Sequence, residues 1–224
     1  MTFMNPSTAA VLFDMDGVLI DSEPLWKVAM YEVFTPLGSH LTTQDFQQTV
    51  GLRIDQVVHY WNMSQGWNLK SEAAVVQAIL DRMVSLVQEN PFALTGVYET
   101  LKYLQEHCIP TGLATSSPTV LMDAVLDALE LRPYFQTVQS AEHLAYGKPH
   151  PEVYLRAAEA LQRKPQHCWV IEDSLNGVIS GKAAGMQVVC IPEKTHHPNP
   201  KLIVADYQYA SLLELLEAWK AMKK

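Results

Sequence analysis

The apolar residues of this chain fall into two kinds of run. Five runs are short and stop at turn or polar chemistry: Ala9–Phe13, Thr111–Ala114, Thr137–Gln139, Trp169–Ile171 and Gln187–Ile191. They are too short for helices and rich in β-branched or aromatic residues, so they read as buried strands. Between the later ones the apolar positions recur at helical spacing. Pro118 to Leu129 carries Val120, Leu121, Ala124, Val125 and Ala128, and Pro151 to Leu161 carries Val153, Tyr154, Ala157, Ala158 and Leu161. Near the end, Ser211 and Glu214 form a capping-box pattern before an apolar face of Leu212, Leu215, Leu216, Trp219 and Met222. Strands alternating with helices predict an α/β fold, a Rossmann-like parallel sheet with helices on both faces.

One interval breaks the alternation. From Glu23 to about Pro91 there are helical patterns and loops but no strand; Ser71 to Gln88 reads as a long helix. Pro24 at one end and "NPFALTG" at the other suit hinges. The expected organisation is therefore a core of residues 1–22 and 93–224 with a helical cap, 23–92, inserted after the first strand.

Composition narrows the function. At 224 residues the chain is about one and a half domains long by the usual prior. A net charge of -8 argues against nucleic acid or an anionic membrane as partner, and any phosphate must meet a local positive site. Cys108, Cys168 and Cys190 match no zinc spacing and read as buried free thiols of a reducing compartment. The start, "MTFMNPSTAA", does not look like a signal peptide, and no apolar run is long enough to span a bilayer. A cytoplasmic location is the expectation by default.

The chemistry gathers where strands end. "AVLFDMDGVLIDS" runs an apolar strand into Asp14 and Asp16, two residues apart, and Gly17 allows a sharp turn. Two carboxylates so close repel each other and call for a cation. "CWVIEDSLNG" repeats the pattern with Glu172 and Asp173. In an open parallel sheet both pairs lie at the same carboxyl edge, where ligands bind. Asp14, Asp16 and Asp173 would then surround one hard divalent ion, Mg²⁺ by its taste for carboxylates, water and phosphate. "GLATSSPTV" ends a strand at Thr115, Ser116 and Ser117, with Pro118 expected at the first position of a helix whose N–H groups suit an anion. In "YGKPHPEVY", Lys148 sits on a stiff loop and would supply positive charge. Singly, each stretch has a plain alternative: a helix cap at the aspartates or serines, a solvated charge at the lysine.

Taken in order, "DMDGVLIDS", "ATSS", "GKPHPEVY" and "IEDSLNG" resemble the haloacid dehalogenase superfamily of phosphatases and phosphomutases, and the helical insert is similar to its cap. The stretches "SEPLW" and "GLRIDQVVHYW" are similar to the bacterial 2-deoxyglucose-6-phosphate and hexitol phosphatases within it. The resemblance implies Asp14 as nucleophile and Asp16 as general acid and base. It implies Mg²⁺ held by Asp14, the Asp16 carbonyl and Asp173, with Glu172 ordering a metal-bound water. It also implies Thr115, Ser116 and Lys148 on the phosphate, helped by the N–H groups of Met15 and Asp16. The implied reaction is Mg²⁺-dependent hydrolysis of hexose or hexitol phosphates through an aspartyl-phosphate. The expected partner is a small phosphorylated sugar and the expected state a monomer. A β-phosphoglucomutase-like enzyme shares the first half-reaction. A receiver-type signalling domain also places acids and Mg²⁺ at this edge, but lacks Asp16 at nucleophile plus two and any cap.

In the cap, the loop "VGLRIDQ", Val50–Gln56, turns at Gly51, and Arg53 could reach a sugar hydroxyl or the phosphate, or equally form an ion pair between modules. Trp26, Trp61 and Trp67 could stack on a sugar or fill the cap core. His40, His59, His196 and His197 carry no assignment.

Overall fold

All five expected strands form and a sixth joins them. The structure is a computed structural model that describes residues 9–42, 44–49, 52–192 and 199–222. The strands are β1 (Ala10–Phe13), β2 (Thr111–Thr115), β3 (Thr137–Ser140), β4 (Cys168–Glu172), β5 (Gln187–Cys190) and β6 (Tyr207–Gln208). They make one parallel sheet in the order β3-β2-β1-β4-β5-β6. The helices are α1 (Glu23–Phe34), α2 (Ile54–Gln65), α3 (Glu72–Glu89), α4 (Val97–Glu106), α5 (Thr119–Ala128), α6 (Glu152–Ala160), α7 (Leu175–Ala183) and α8 (Leu212–Met222).

Strand residues alternate between two apolar clusters, as the period of two requires. Val11, Phe13, Leu113, Trp169, Ile171 and Val189 pack in one cluster with Val97, Leu101 and Leu104 of α4 and Leu215, Leu216 and Trp219 of α8. Ala10, Leu12, Ala114, Val170 and Val188 pack in the other with α6 and α7. Both faces are covered, which explains why these strands read as unbroken apolar runs.

Helices α1 and α2 each pack on α3, and α3 also packs on α5 of the sheet layer. The apolar cluster runs on from the sheet through Phe34, Phe46, Trp61, Ile79 and Met83 of this helical group. The chain leaves and re-enters the sheet layer at adjacent points: Ile20 bridges Ala93, and the Leu94 N–H donates to the Leu19 carbonyl at 2.9 Å.

Local expectations shift in small ways. Pro118 is the N-cap of α5, one position before the one expected. At α8, Ser211 Oγ accepts the Glu214 N–H at 3.2 Å, but the Glu214 carboxylate takes the Ala210 N–H at 2.6 Å, so the box closes one residue early. The Met222 side chain lies outside the described residues, as do Val50, Gly51, His196 and His197. Cys168 and Cys190 are buried free thiols, whereas Cys108 is exposed, because it follows the last turn of α4 rather than entering a strand. Among the described residues no helix is long and apolar enough to cross a membrane.

Candidate active site

Strand β1 lies between β2 and β4, the place where the strand order reverses and a crevice opens at the carboxyl ends. Asp14 stands there, with its N–H on the Ile171 carbonyl at 2.9 Å. The chain then turns back at once: the Met15 carbonyl accepts from Val18, Leu19 and Ile20. Gly17 makes the turn with φ +72°, and a Cβ there would come within 2.0 Å of Asp173 Oδ2. Any other residue at 17 would displace Asp173, so the glycine serves both the turn and the acid across from it.

Lys148 arrives from the loop between β3 and α6. Its Nζ donates to Asp14 Oδ1 and to Glu172 Oε1, each at 2.7 Å, and lies 4.7 Å from the centre of the Tyr154 ring. Glu172 is fully buried. Its Oε1 also accepts from the Tyr154 hydroxyl at 2.8 Å, and its Oε2 accepts from the N–H groups of Asp173 and Ser174 and from Ser174 Oγ. Gly177 makes room for this carboxylate, since a Cβ there would fall 1.6 Å from Glu172 Oε1. Protein donors thus meet both oxygens of Glu172, with Lys148 on Oε1.

Charge in this cluster is unbalanced. Burial pushes the Asp14 carboxyl up to about 7, with the Glu172 charge adding to the rise and Lys148 opposing it. Burial, with Glu172 and Asp14 behind it, holds Asp173 well above the usual carboxylate range. Glu172 is buried too, but the Lys148 charge and hydrogen bonds outweigh that and keep it low. Burial acts to lower Lys148, and the charges of Asp14 and Glu172 overcome it and hold the ammonium up. Asp14, Glu172 and Asp173 each offer an oxygen within 4.8 Å of the others. Two buried carboxylates and the half-buried Asp173 face one ammonium; with all three ionised two negative charges have no partner, and a divalent cation on Asp14 and Asp173 is the chemistry that fits.

Asp16 faces the other way, toward the helical group. Its Oδ1 accepts from Ser22 Oγ at 2.5 Å and Trp26 Nε1 at 3.3 Å, and its Oδ2 from Ser117 Oγ at 2.6 Å. Two segments, the start of α1 and the loop after β2, thus hold one carboxylate. Thr115 Oγ1 accepts the Ser117 N–H at 3.0 Å and shapes the loop after β2. Ser116 Oγ is buried with no hydrogen-bond partner, an orphan polar atom that an anion's oxygen would satisfy. The N-terminus of α5 is less open than expected: Glu142 Oε2 already takes the Thr119 N–H at 3.0 Å.

These groups line one cavity of about 120 Å³, together with Asp21, Glu23, Trp26, Leu52 and Ile54. A smaller, mostly apolar recess behind Trp26 continues between Met30, Phe46 and Val57. Of the three tryptophans singled out in the sequence, Trp26 lines the cavity. Trp61 is buried in the helical group, donating to Thr49 Oγ1 at 3.4 Å, and Trp67 packs on Phe34 with ring centres 4.9 Å apart. His40 is exposed, and His59 pairs with Glu72 at 3.2 Å. Arg53 turns to Asp55 and to carbonyls of the sheet layer. Ser22, Ser117 and Tyr154 were not assigned roles from the sequence. Each lies inside or beside a quoted motif, but single hydroxyls carry no spacing signal of their own.

Comparison with known proteins places this geometry. The haloacid dehalogenase-like hydrolase family matches residues 11–191. Hexitol phosphatase B of Escherichia coli (strain K12) is 42% identical over 207 residues, 92% of this chain and 93% of that protein. The phosphorylated carbohydrates phosphatase of Thermotoga maritima is 33% identical over 190 residues, 80% of this chain and 82% of its own. Among solved structures, CbbY from Rhodobacter sphaeroides in complex with phosphate superposes with a TM-score of 0.83 at 24% identity, over 93% of this chain and 96% of that one, and so shares the fold.

Proposed function

This chain belongs to the haloacid dehalogenase-like hydrolases, and from that premise we propose that it is a sugar-phosphate phosphatase, acting on hexose or hexitol monophosphates through a phosphoryl group carried on Asp14. The observation that carries the proposal is Lys148, buried and shared between Asp14 and Glu172, with Asp173 beside them. We place the helical cap at 23–92 and the core at 1–22 and 93–224. The side-by-side chain crossings at Ile20 and Ala93 support that division.

In this reading an Asp14 oxygen attacks phosphorus while the bond from phosphorus to the sugar oxygen breaks. Asp16 gives its proton to that leaving oxygen. Asp16 then takes a proton from water, the water oxygen attacks the phosphorus on Asp14, and inorganic phosphate and free Asp14 result. Splitting one hard displacement into two easier ones is the gain. Proton transfer by Asp16 is worth roughly 10² to 10⁴ in rate. Lys148, Ser116 and the loop held by Thr115 receive the phosphate oxygens, with the Met15 and Asp16 N–H groups beside them. Asp14, Asp173 and the Asp16 carbonyl would hold Mg²⁺, which would supply the positive charge that lets an anionic nucleophile approach an anionic phosphate.

A phosphomutase would return the phosphoryl group to a sugar phosphate and so must hold a second phosphate. Among the described residues lining the cavity, Lys148 is the one cation, and the sugar end carries Asp21 and Glu23. Water as acceptor suits that lining better.

A panel of sugar phosphates assayed for released phosphate tests the proposal. Hexose and hexitol monophosphates are expected to release phosphate with Mg²⁺ present and not in EDTA, and Asp14→Asn to abolish release while the protein stays folded. Undiminished activity in EDTA, or in Asp14→Asn, overturns the mechanism. Isomerisation of β-glucose 1-phosphate in place of phosphate release would transfer the chain to the mutases.

A further inference from the structure

The seam between the helical group and the sheet layer is crossed by Trp26, which donates to Asp16, and by Arg53. Arg53, at the N-cap of α2, donates from Nε and Nη2 to the two oxygens of Asp55, at 2.9 and 2.7 Å. Its Nη1 reaches across the seam to the carbonyl of Leu144 at 3.1 Å and that of Ala141 at 3.4 Å. The stem lies against Gly147: a Cβ built there would be 3.4 Å from Arg53 Cδ. The side chain is 19% exposed, low for an arginine at a module boundary. Residues 141–147 are the loop that delivers Lys148, and Gly147 precedes it directly.

We propose that Arg53 is a latch: a positioning residue through which closure of the helical group sets the loop that aims Lys148. The fork to Asp55 lies within the helical group and survives opening, so the guanidinium is already oriented when it meets the carbonyls. The two carbonyl contacts and the packing on Gly147 cross the seam and exist only when it is closed. A cavity of about 120 Å³ is smaller than the roughly 300–1,000 Å³ of ordinary ligand pockets, so a sugar phosphate enters with the seam open and the latch unmade. Closing then remakes the latch, and the loop is held at two carbonyls and one α-carbon while its next side chain grips Asp14. Arg53 on this account touches no substrate, and its guanidinium is already committed to Asp55 and the loop. The proposal rests on the phosphatase reading for the use made of Lys148, but the contact itself does not.

Two measurements test it. Arg53→Ala is expected to lower kcat about ten- to a hundredfold, the range of a charge-assisted hydrogen bond. The factor should be the same, within threefold, for a hexitol phosphate and for p-nitrophenyl phosphate, whose leaving group has no hydroxyls to recognise. Arg53→Lys should recover part of the loss on both, and the melting temperature of both variants should stay within about 2 °C of the parent. A loss confined to the sugar phosphate would make Arg53 a sugar ligand and overturn the latch. Independently of turnover, amide hydrogen exchange in 141–150 should be at least about tenfold faster in Arg53→Ala, with α6 and β4 unchanged. Unaltered exchange in that loop overturns the latch even if the protein hydrolyses nothing. Fast exchange without any phosphatase activity would uphold the latch and sink the phosphatase reading instead.

Discussion

At the scale of the residue, the site is made by glycines as much as by charged groups. Gly17 and Gly177 each stand where a Cβ would strike a carboxylate, Asp173 in the first case and Glu172 in the second. Gly177→Ala is therefore expected to push Glu172 aside and loosen Lys148, although residue 177 itself touches no substrate. Because hydrogen bonds to charged groups contribute about 1.5–3 kcal/mol, kcat should fall roughly ten- to a hundredfold. Kinetics beside a circular-dichroism spectrum check this; full activity in a folded variant would show that Glu172 does not set the ammonium. The aspartates and the lysine were legible in the sequence because they sit in short motifs with turn residues around them. The partners of Asp16 were not: Ser22 and Trp26 come from the start of α1 and Ser117 from the loop after β2, 101 positions from the acid it holds.

At the scale of the element, strands were legible to within a residue or two at each end, since a fully buried parallel strand is a plain apolar run. Helix α7 was not singled out. Its sequence, LNGVISGKA, has two glycines in nine residues, and isolated glycines cost about 1 kcal/mol of helix propensity each. The helix forms because close packing needs those positions bare: a Cβ at Gly181 would lie 2.8 Å from Val188 Cγ2. Strand β6, two residues long, had no pattern to read. The cap of α8 gives a prediction at this scale. Ser211→Ala removes the acceptor of the Glu214 N–H and should cost about 1 kcal/mol, a drop of roughly 2–4 °C in melting temperature. Turnover at 25 °C should be unchanged, because Lys148, Asp14 and Asp16 are held by other segments. A melt no different from the parent would show that the Glu214 carboxylate on Ala210 caps the helix by itself.

At the scale of the whole molecule, a protein with a net charge of -8 gathers three carboxylates, two of them buried, beside one ammonium. Without metal, burial and the Glu172 charge push the Asp14 carboxyl up to about 7 in the fold, from 3.8 in an exposed chain. A carboxyl raised in this way binds its proton more tightly when folded, so its contribution is fully present below about 3.8 and is lost as pH rises through 7. Asp173 is shifted in the same direction. In EDTA the melting temperature is therefore expected to fall between pH 5 and pH 8. Mg²⁺ should raise it more at pH 8, where Asp14 no longer needs to shed a proton to receive the ion. Thermal melts at both pH values with and without Mg²⁺ check this. A gain from Mg²⁺ as large at pH 5 as at pH 8 would place the ion away from Asp14 and Asp173.

The sequence by itself determined the parallel sheet, the helical insertion after the first strand, and the four stretches that carry Asp14, Thr115, Lys148 and Asp173. Those follow from periodicity and from turn chemistry, which act between near neighbours. Tertiary structure alone decided that Glu172 faces Lys148, that the Ser117 hydroxyl meets Asp16, and that Arg53 spans the seam to the loop before Lys148. Each of these joins groups far apart in the chain, and their meeting depends on strand order and on how the two layers pack, which no local pattern encodes.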